Sequence, residues 1–454
     1  MRKIKAGFVG FGEVNTPREM VERLCREALS RLPEDQFDLI VTDPVRDDPG
    51  GQEAARAVAE LGGHDLDVLL VCVAGWIPSH TVFQVIDPFR NTPMVLWGLS
   101  GWRENGRIVT TACQAGTTAL RQPMAEMGYV FEYHVETLDG GDPVPAIGDF
   151  ARAARAAALL RGARIGQMGF RDMNLYATLY DGMALRAKIG VEVEFFEMLE
   201  IARNMEDCDA ATLAQWRKVM EDRWHFTRPA QPQTLENSIR LAWALQRKIH
   251  ERSYQGLSFK DVDGVKKLLG FAPAGAMTLL HEHEESLCTI PENDTLGAVT
   301  QLMVRQLTGQ CAAYLEFYDF FEKGALMGVP DYVPPQIVQG SVCVTPTAFG
   351  GFGEGLLNVS KIRTGPVTLM RLAQSGGRHC LHAFTGLSMP PPAWEEAGWQ
   401  PPAPQLPSLR VDFDIPMRAF QNQVMGQHYI LAHGDHLAAV RALCRILDIQ
   451  FLAS

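Results

Sequence analysis

The sequence predicts an α/β protein: two Rossmann-like, doubly wound α/β domains followed by a C-terminal β-rich, barrel-like domain. Three observations predict it. Short apolar runs alternate with helix-length amphipathic stretches as far as Thr308, the signature of strand–helix–strand units. The runs VLLVCV and MVLWGL are apolar at every position, as strands buried on both faces are. After about Gly309 the helical stretches give way to closely spaced strand-like segments. Proline-rich connections, PDYVPPQIVQG and MPPPAWEEAGWQPPAPQLP, separate them.

Taken in order, Ile4–Phe8 reads as the first strand. Thr16 and Pro17 supply an N-cap and an N1 proline for a helix running to about Arg31. Phe37–Val41 is a strand, Gln52–Leu61 a helix, and Asp67–Val73 and Pro93–Leu99 are buried strands. A helix over Thr117–Met127 and a strand over Tyr129–Val135 complete a first domain, residues 1–145. The Gly- and Pro-rich GGDPVPAIGD marks the boundary. The second domain, 146–308, has strands at Ile165–Phe170, Val191–Met198 and Leu257–Lys260. Its helices are Phe150–Leu160, Ala210–Arg223 and Thr234–Arg252. The third, 309–454, has strands at Ala312–Phe317, Ser341–Val344, Val367–Leu372, Cys380–Phe384, Leu409–Phe413 and His428–Ala432, and a closing helix, Leu437–Leu447.

Composition narrows the function classes. The 454 residues carry a formal net charge of −11, which disfavours nucleic acid or an anionic membrane as principal partner. The longest apolar run, Val68–Ile77, is too short to span a bilayer. The N-terminal apolar run is broken by glycines and does not read as a signal peptide. The cysteines number nine and form no CxxC pair, which fits reduced thiols and a cytoplasmic protein.

GFVGFGEVN, Gly7–Asn15, matches the first two glycines of a dinucleotide-binding loop, but Asn15 stands where the third belongs. The Thr16-Pro17 cap also starts the helix later than a pyrophosphate site requires. A nicotinamide-dependent oxidoreductase is the reading this loop supports; a plain glycine-lined loop is the other.

The carboxylates of LLHEHEESLCTIPENDTLGA draw the eye first to HEHEE. That stretch lacks the i,i+4 histidines of a helical zinc site and is read as a polar strand end. There, His283 or Glu285 could approach a site as supporting groups. PENDTLGAVTQLMVRQL is more informative. Asn293 or Asp294 caps a helix through Leu307, so Glu292 sits just before a helix N-terminus, where the macrodipole favours its ionised form. Strand alternation in CAAYLEFYDF puts Glu316 on one face with Tyr314 and Tyr318, opposite Leu315 and Phe317. A charge in an apolar strand needs a partner or a metal. The residues leave two readings open: Glu292 and Glu316 converge on a cation, or Glu316 pairs with an arginine and Glu292 merely precedes a helix. His428, opening the strand of GQHYILAHGDH, is a further ligand candidate.

PENDTLGAVTQLMVRQLTGQCAAYLEFYDF, GQHYILAHGDH and VLLVCVAGWIPSHTVFQVIDPFRNTPMVLWGLSG together resemble the L-fucose isomerase and L-arabinose isomerase superfamily of metal-dependent aldose–ketose isomerases. In fucose isomerases the second carboxylate is an aspartate; here it is Glu316. The resemblance implies Mn²⁺, or another divalent cation, held by Glu292, Glu316 and His428. It also implies proton transfer between C1 and C2 by Glu292 and Glu316 through a cis-enediol, with no nicotinamide. It implies that Trp76 stacks on the sugar, with Arg18, Gln114 and Trp102 as further pocket residues. It implies a trimer or hexamer with sites at subunit interfaces. L-Fucose, D-arabinose, L-arabinose and sulfoquinovose are the candidate substrates. A sulfonate would need cations such as Arg18, Arg103, Lys260 or Arg363. A non-catalytic sugar-binding protein on the same folds is the remaining alternative.

Overall fold

The computed structural model describes residues 1–328, 333–348, 352–390 and 408–453. Most of the second proline-rich connection lies outside these residues. The chain forms two compact units. One comprises Met1–Ala158 with Ala438–Leu447, the other Leu159–Leu437 with the segment from Asp448 onward.

The first unit contains β1 (Ile4–Phe11), α1 (Arg18–Leu29), β2 (Phe37–Val41), α2 (Gln52–Gly62), β3 (Val68–Val73), α3 (Ser79–Ile86), β4 (Met94–Gly98), β5 (Trp102–Glu104), β6 (Arg107–Val109), α4 (Cys113–Glu126), β7 (Phe131–Val135) and most of α5 (Val144–Arg161). Five strands form a parallel sheet in the order β2-β1-β3-β4-β7, while β5 and β6 make a separate hairpin. Every residue of β3 and β4 is buried, as continuous apolar runs require.

Two expectations need correction here. The cap of α1 is Pro17, which offers no side-chain hydrogen bond, so Thr16 does not cap it. The helical turn begins at Val144, so only the start of GGDPVPAIGD is a loop; Pro145 is tolerated where first-turn N–H groups lack helical partners.

The second unit begins with β8 (Arg164–Met168), α6 (Gly182–Lys188), β9 (Glu192–Phe196), α7 (Met198–Glu206), α8 (Ala210–Arg223), β10 (Trp224–Phe226), α9 (Pro232–Arg252) and β11 (Gly256–Phe259). A π-helical segment, Asp261–Leu269, leads to α10 (Ala274–His283), β12 (Cys288–Ile290) and α11 (Thr295–Thr308). Strands β12-β11-β8-β9 form a second parallel sheet. The strand order reverses direction between β8 and β11, since β8 is followed by β9 on one side and β11 by β12 on the other; open α/β sheets bind ligands at such a switch point.

HEHEE is not a strand. His281 to His283 end α10, and Glu284 terminates it. The alternation of His and Glu imitated a period of two. Yet AGAMTLL before it is rich in strong helix formers, and those carry the helix through. His281 is fully buried, and Glu282 ties to Arg223 at 2.7 Å and to the Trp224 indole at 3.0 Å.

The unit continues with β13 (Ala313–Phe321), β14 (Gly324–Gly328), β15 (Val342–Ala348), β16 (Glu354–Asn358), β17 (Gly365–Ser375), β18 (Arg378–Met389), β19 (Ser408–Phe413), α12 (Met417–Gln423) and β20 (His428–His433). Then α13 (Leu437–Leu447) returns to the first unit, and β21 (Gln450–Ala453) adds to β18 in parallel. Six strands close into an antiparallel barrel in the order β17-β20-β13-β14-β19-β18, with β18 pairing back onto β17. Closure removes the exposed sheet edges that an open β domain would present. Leu315, Tyr429, Leu431, Leu369 and Phe384 belong to one core cluster. The intervening residues of β13 and β20, Tyr314, Glu316, His428 and Ile430, therefore point away from it. Helix α11 packs against β13, β17 and β20.

Candidate functional site

The site grows from one pair of strands. In the antiparallel register of β13 and β20, Glu316 lies directly opposite His428, so both side chains leave the same face. His428 Nε2 stands 3.0 Å from Glu316 Oε2. The third member comes from the turn between β12 and α11: Glu292 Oε2 lies 3.7 Å from the same nitrogen. Each of the three offers a ligand atom, and all three atoms lie within 4.8 Å of one another. Glu292 and His428 are buried, while the Glu316 side chain keeps 27% of its surface exposed. The triad is thus closed on one side and open on the other.

The turn that presents Glu292 is strained. Glu292 and Asn293 both adopt left-handed backbone angles, φ 63° and 50°. A non-glycine residue there costs about 1–2 kcal/mol, and such strain persists where surrounding contacts impose it. The contacts are visible. Asn293 N–H donates to Phe259 O at 3.2 Å, and Asn293 Nδ2 to Met168 O at 2.9 Å. The turn therefore lies across the ends of β11 and β8, over the switch point of the sheet. Glu292 N–H donates to Asp261 Oδ1 at 2.9 Å, and Asp261 Oδ2 accepts from the buried Lys266 ammonium at 3.0 Å. Asp172 holds the segment carrying Asp261, accepting from Val262 N–H at 2.9 Å and Asp263 N–H at 2.8 Å.

Asp294 caps α11, accepting from Gly297 N–H at 3.0 Å. Its carboxylate also receives both terminal nitrogens of Arg371 from β17, one at 2.9 Å, and the Tyr314 hydroxyl at 3.0 Å. Burial opposes its ionisation, but the charge and hydrogen bonds of Arg371 outweigh that and hold the carboxyl below its ordinary value. Burial, reinforced by the negative charge of Asp294, pushes the Tyr314 hydroxyl well above its usual range. Tyr314 is therefore a permanent donor here.

Sequence reasoning missed Asp261, Lys266 and Arg371. Arg371 carried a signal: it interrupts the apolar run VTLMRLA, and a charge there demands a buried partner. Asp261 and Lys266 carried none, because the π-helical segment that faces them toward the turn has no sequence signature.

The expected sugar-contacting residues all lie in the first unit. Trp76, between β3 and α3, is 43% exposed. Arg18 donates to Glu22 at 2.8 Å and has Glu53 and Asp43 at 3.8 and 3.9 Å. The Gln114 amide nitrogen bonds the carbonyls of Gly98, Leu99 and Glu136 at 2.8–3.2 Å. Trp102 sits on the β5–β6 hairpin with the Arg23 guanidinium 5.2 Å from its ring centroid.

The glycines of GFVGFGEV have a packing role. Gly10 lies within β1, and a Cβ there would stand 2.3 Å from Cys25 Sγ of α1; one at Gly12 would stand 2.6 Å from Val21. Both glycines admit α1 side chains against the strand, and α1 begins only at Arg18. The helix N-terminus is not placed to receive a pyrophosphate after Gly12.

Comparison with known proteins finds a distant similarity to L-fucose isomerases. The L-fucose isomerase of Escherichia coli strain K12 / DH10B is 19% identical over 311 residues, which cover 61% of this chain and 52% of that protein. That of E. coli strain SMS-3-5 is 20% identical over the same extent. The chain spans about half the length of the curated relatives it matches. No family model matches it. Among the described residues, no helix is long and apolar enough to cross a membrane.

Proposed function

We propose that this chain is a divalent-metal-dependent aldose–ketose isomerase. The observation that carries the reading is the convergence of Glu292, Glu316 and His428. Two carboxylates and one imidazole, with one side open, are a donor set suited to Mn²⁺. The distant similarity to L-fucose isomerases supports the same chemistry. When bound, a divalent ion supplies Lewis-acid polarisation of the sugar carbonyl.

The chain's own residues supply the rest. The strained turn fixes the backbone of Glu292, and the strand register fixes that of His428. Glu316 is the most exposed of the three, which supports giving it the role of reaching a substrate carbon. In this reading the two carboxylates move the proton between C1 and C2 through a cis-enediol, exchanging roles with reaction direction. Candidate substrates are L-fucose, D-arabinose, L-arabinose and sulfoquinovose. Trp76, Arg18, Gln114 and Trp102 are proposed sugar contacts, and a homo-trimer or hexamer is the proposed assembly.

The test is an isomerase assay on chelated protein, with and without Mn²⁺, over pentoses, 6-deoxyhexoses and sulfoquinovose. Metal-restored ketose formation that is lost in Glu316→Gln supports the reading. No turnover of any of these sugars at saturating Mn²⁺ rejects it for them.

A further inference from the structure

A ligand imidazole needs its ring plane fixed, because a rotation about Cβ–Cγ swings the coordinating nitrogen out of place. The usual device is a hydrogen bond from the other ring nitrogen to a carboxylate or carbonyl. Among the described residues, His428 makes its hydrogen bonds through Nε2 alone. What holds its ring is an aromatic face. The Tyr314 and His428 rings stack at 4.2 Å between centroids, 21° from parallel. Tyr314 is the diagonal neighbour of His428 across β13 and β20, within reach of an aromatic side chain.

Tyr314 is itself pinned. Its hydroxyl donates to Asp294 at 3.0 Å, and Asp294 is fixed by the backbone of α11 and by Arg371. Tyr314, Asp294, Arg371 and His428 are all buried. The chain of contacts runs from the barrel strand carrying Arg371, through the helix cap and the tyrosine, to the imidazole. Its middle link, Asp294, stands two residues after Glu292 in the chain.

We propose that Tyr314 is a positioning residue that orients His428 for metal binding, with Asp294 and Arg371 as its fixed support. The proposal rests on reading the triad as a metal centre. A tyrosine that only filled space would affect stability and leave metal affinity alone. A positioning tyrosine changes affinity, and a ring without the hydroxyl restores most of it.

The experiment is Mn²⁺ titration followed by electron paramagnetic resonance, on wild type, Glu292→Gln, Tyr314→Leu and Tyr314→Phe, each with a circular-dichroism melt. Tyr314→Leu is expected to raise the Mn²⁺ Kd by about 10- to 100-fold, the range for losing a supporting group. Tyr314→Phe keeps the stack and is expected to raise it by about threefold, within the modest cost of one hydrogen bond. A folded Tyr314→Leu with the wild-type Kd overturns the proposal while leaving the triad reading intact. If Tyr314→Leu does not fold, Tyr314→Phe decides: an unchanged Kd overturns the proposal. Wild type that binds no Mn²⁺, or Glu292→Gln that binds as wild type does, removes the triad reading and this proposal with it.

Discussion

Glu316 and His428 are direct cross-strand partners of β13 and β20, with Oε2 and Nε2 3.0 Å apart. The ladder register of the barrel therefore sets the distance between two members of the triad. The strained β12–α11 turn, held from the parallel sheet beneath it, sets the third.

Glu316→Gln preserves shape and removes the charge. It is expected to lower turnover at saturating Mn²⁺ by about 10²- to 10⁴-fold, the usual contribution of a positioned acid–base group. Because the side chain is partly exposed, the thermal midpoint should stay near wild type. Steady-state kinetics beside a melt checks both parts. Turnover within twofold of wild type would remove Glu316 from the mechanism.

Asp294→Ala is expected to be far more disruptive to folding. It leaves the buried Arg371 guanidinium without its carboxylate, which costs about 3–5 kcal/mol. The lost α11 cap adds about 1 kcal/mol. Urea unfolding measures the sum. The double variant Asp294→Ala with Arg371→Met should recover much of the loss, since no charge is then stranded.

Gly10→Ala tests the packing account of the glycine loop. The added Cβ falls 2.3 Å from Cys25 Sγ, and overpacking of this kind costs about 1–3 kcal/mol. Adding Cys25→Ala removes the sulfur and leaves Cys25 Cβ at an ordinary 3.6 Å, so stability should return. If the second substitution brings no recovery, the clash is not what Gly10 avoids.

His281 predicts a pH dependence of stability. Burial, aided by the positive charge of Arg305, lowers its pKa from 6.5 to about 4. Above pH 6.5 the imidazole is neutral in both folded and unfolded chains. Between about 6.5 and 4 the unfolded chain binds a proton that the folded chain does not, so stability falls as pH falls. The slope from this group is about 1.4 kcal/mol per pH unit, or about 3 kcal/mol by pH 4. Denaturant unfolding at pH 7 and pH 4.5 should show a smaller acid loss in His281→Gln than in wild type. Equal losses would contradict the assignment.

Much of this molecule was legible in the sequence where the signal is local. The apolar runs of β3 and β4, the amphipathic α2 and α13, and the alternation of Tyr314, Leu315, Glu316 and Phe317 are patterns of neighbours. The cap of α11 was legible as Asn293 or Asp294, and Asp294 is the one that caps it. What was not legible depends on contacts between distant segments. The register that sets Glu316 against His428 and the closure of β18 onto β17 are long-range facts. So is the Asp261 carboxylate that holds the Glu292 turn. HEHEE misled because a short His–Glu alternation looks like a strand, while the helix formers preceding it decide the outcome. The glycines of GFVGFGEV match a nucleotide loop only in part, and the space a Cβ would take at Gly10 and Gly12 is filled by Cys25 and Val21.

The most direct test of the central claim is the number of divalent ions bound per chain, and their affinity. Equilibrium dialysis of chelated protein against Mn²⁺ would be compared for wild type, Glu292→Gln, Glu316→Gln and His428→Ala. One ion per wild-type chain, with affinity at least about tenfold weaker in every variant, is the predicted result. Binding that persists unchanged through all three substitutions, or no binding in wild type, would contradict a metal centre at Glu292, Glu316 and His428.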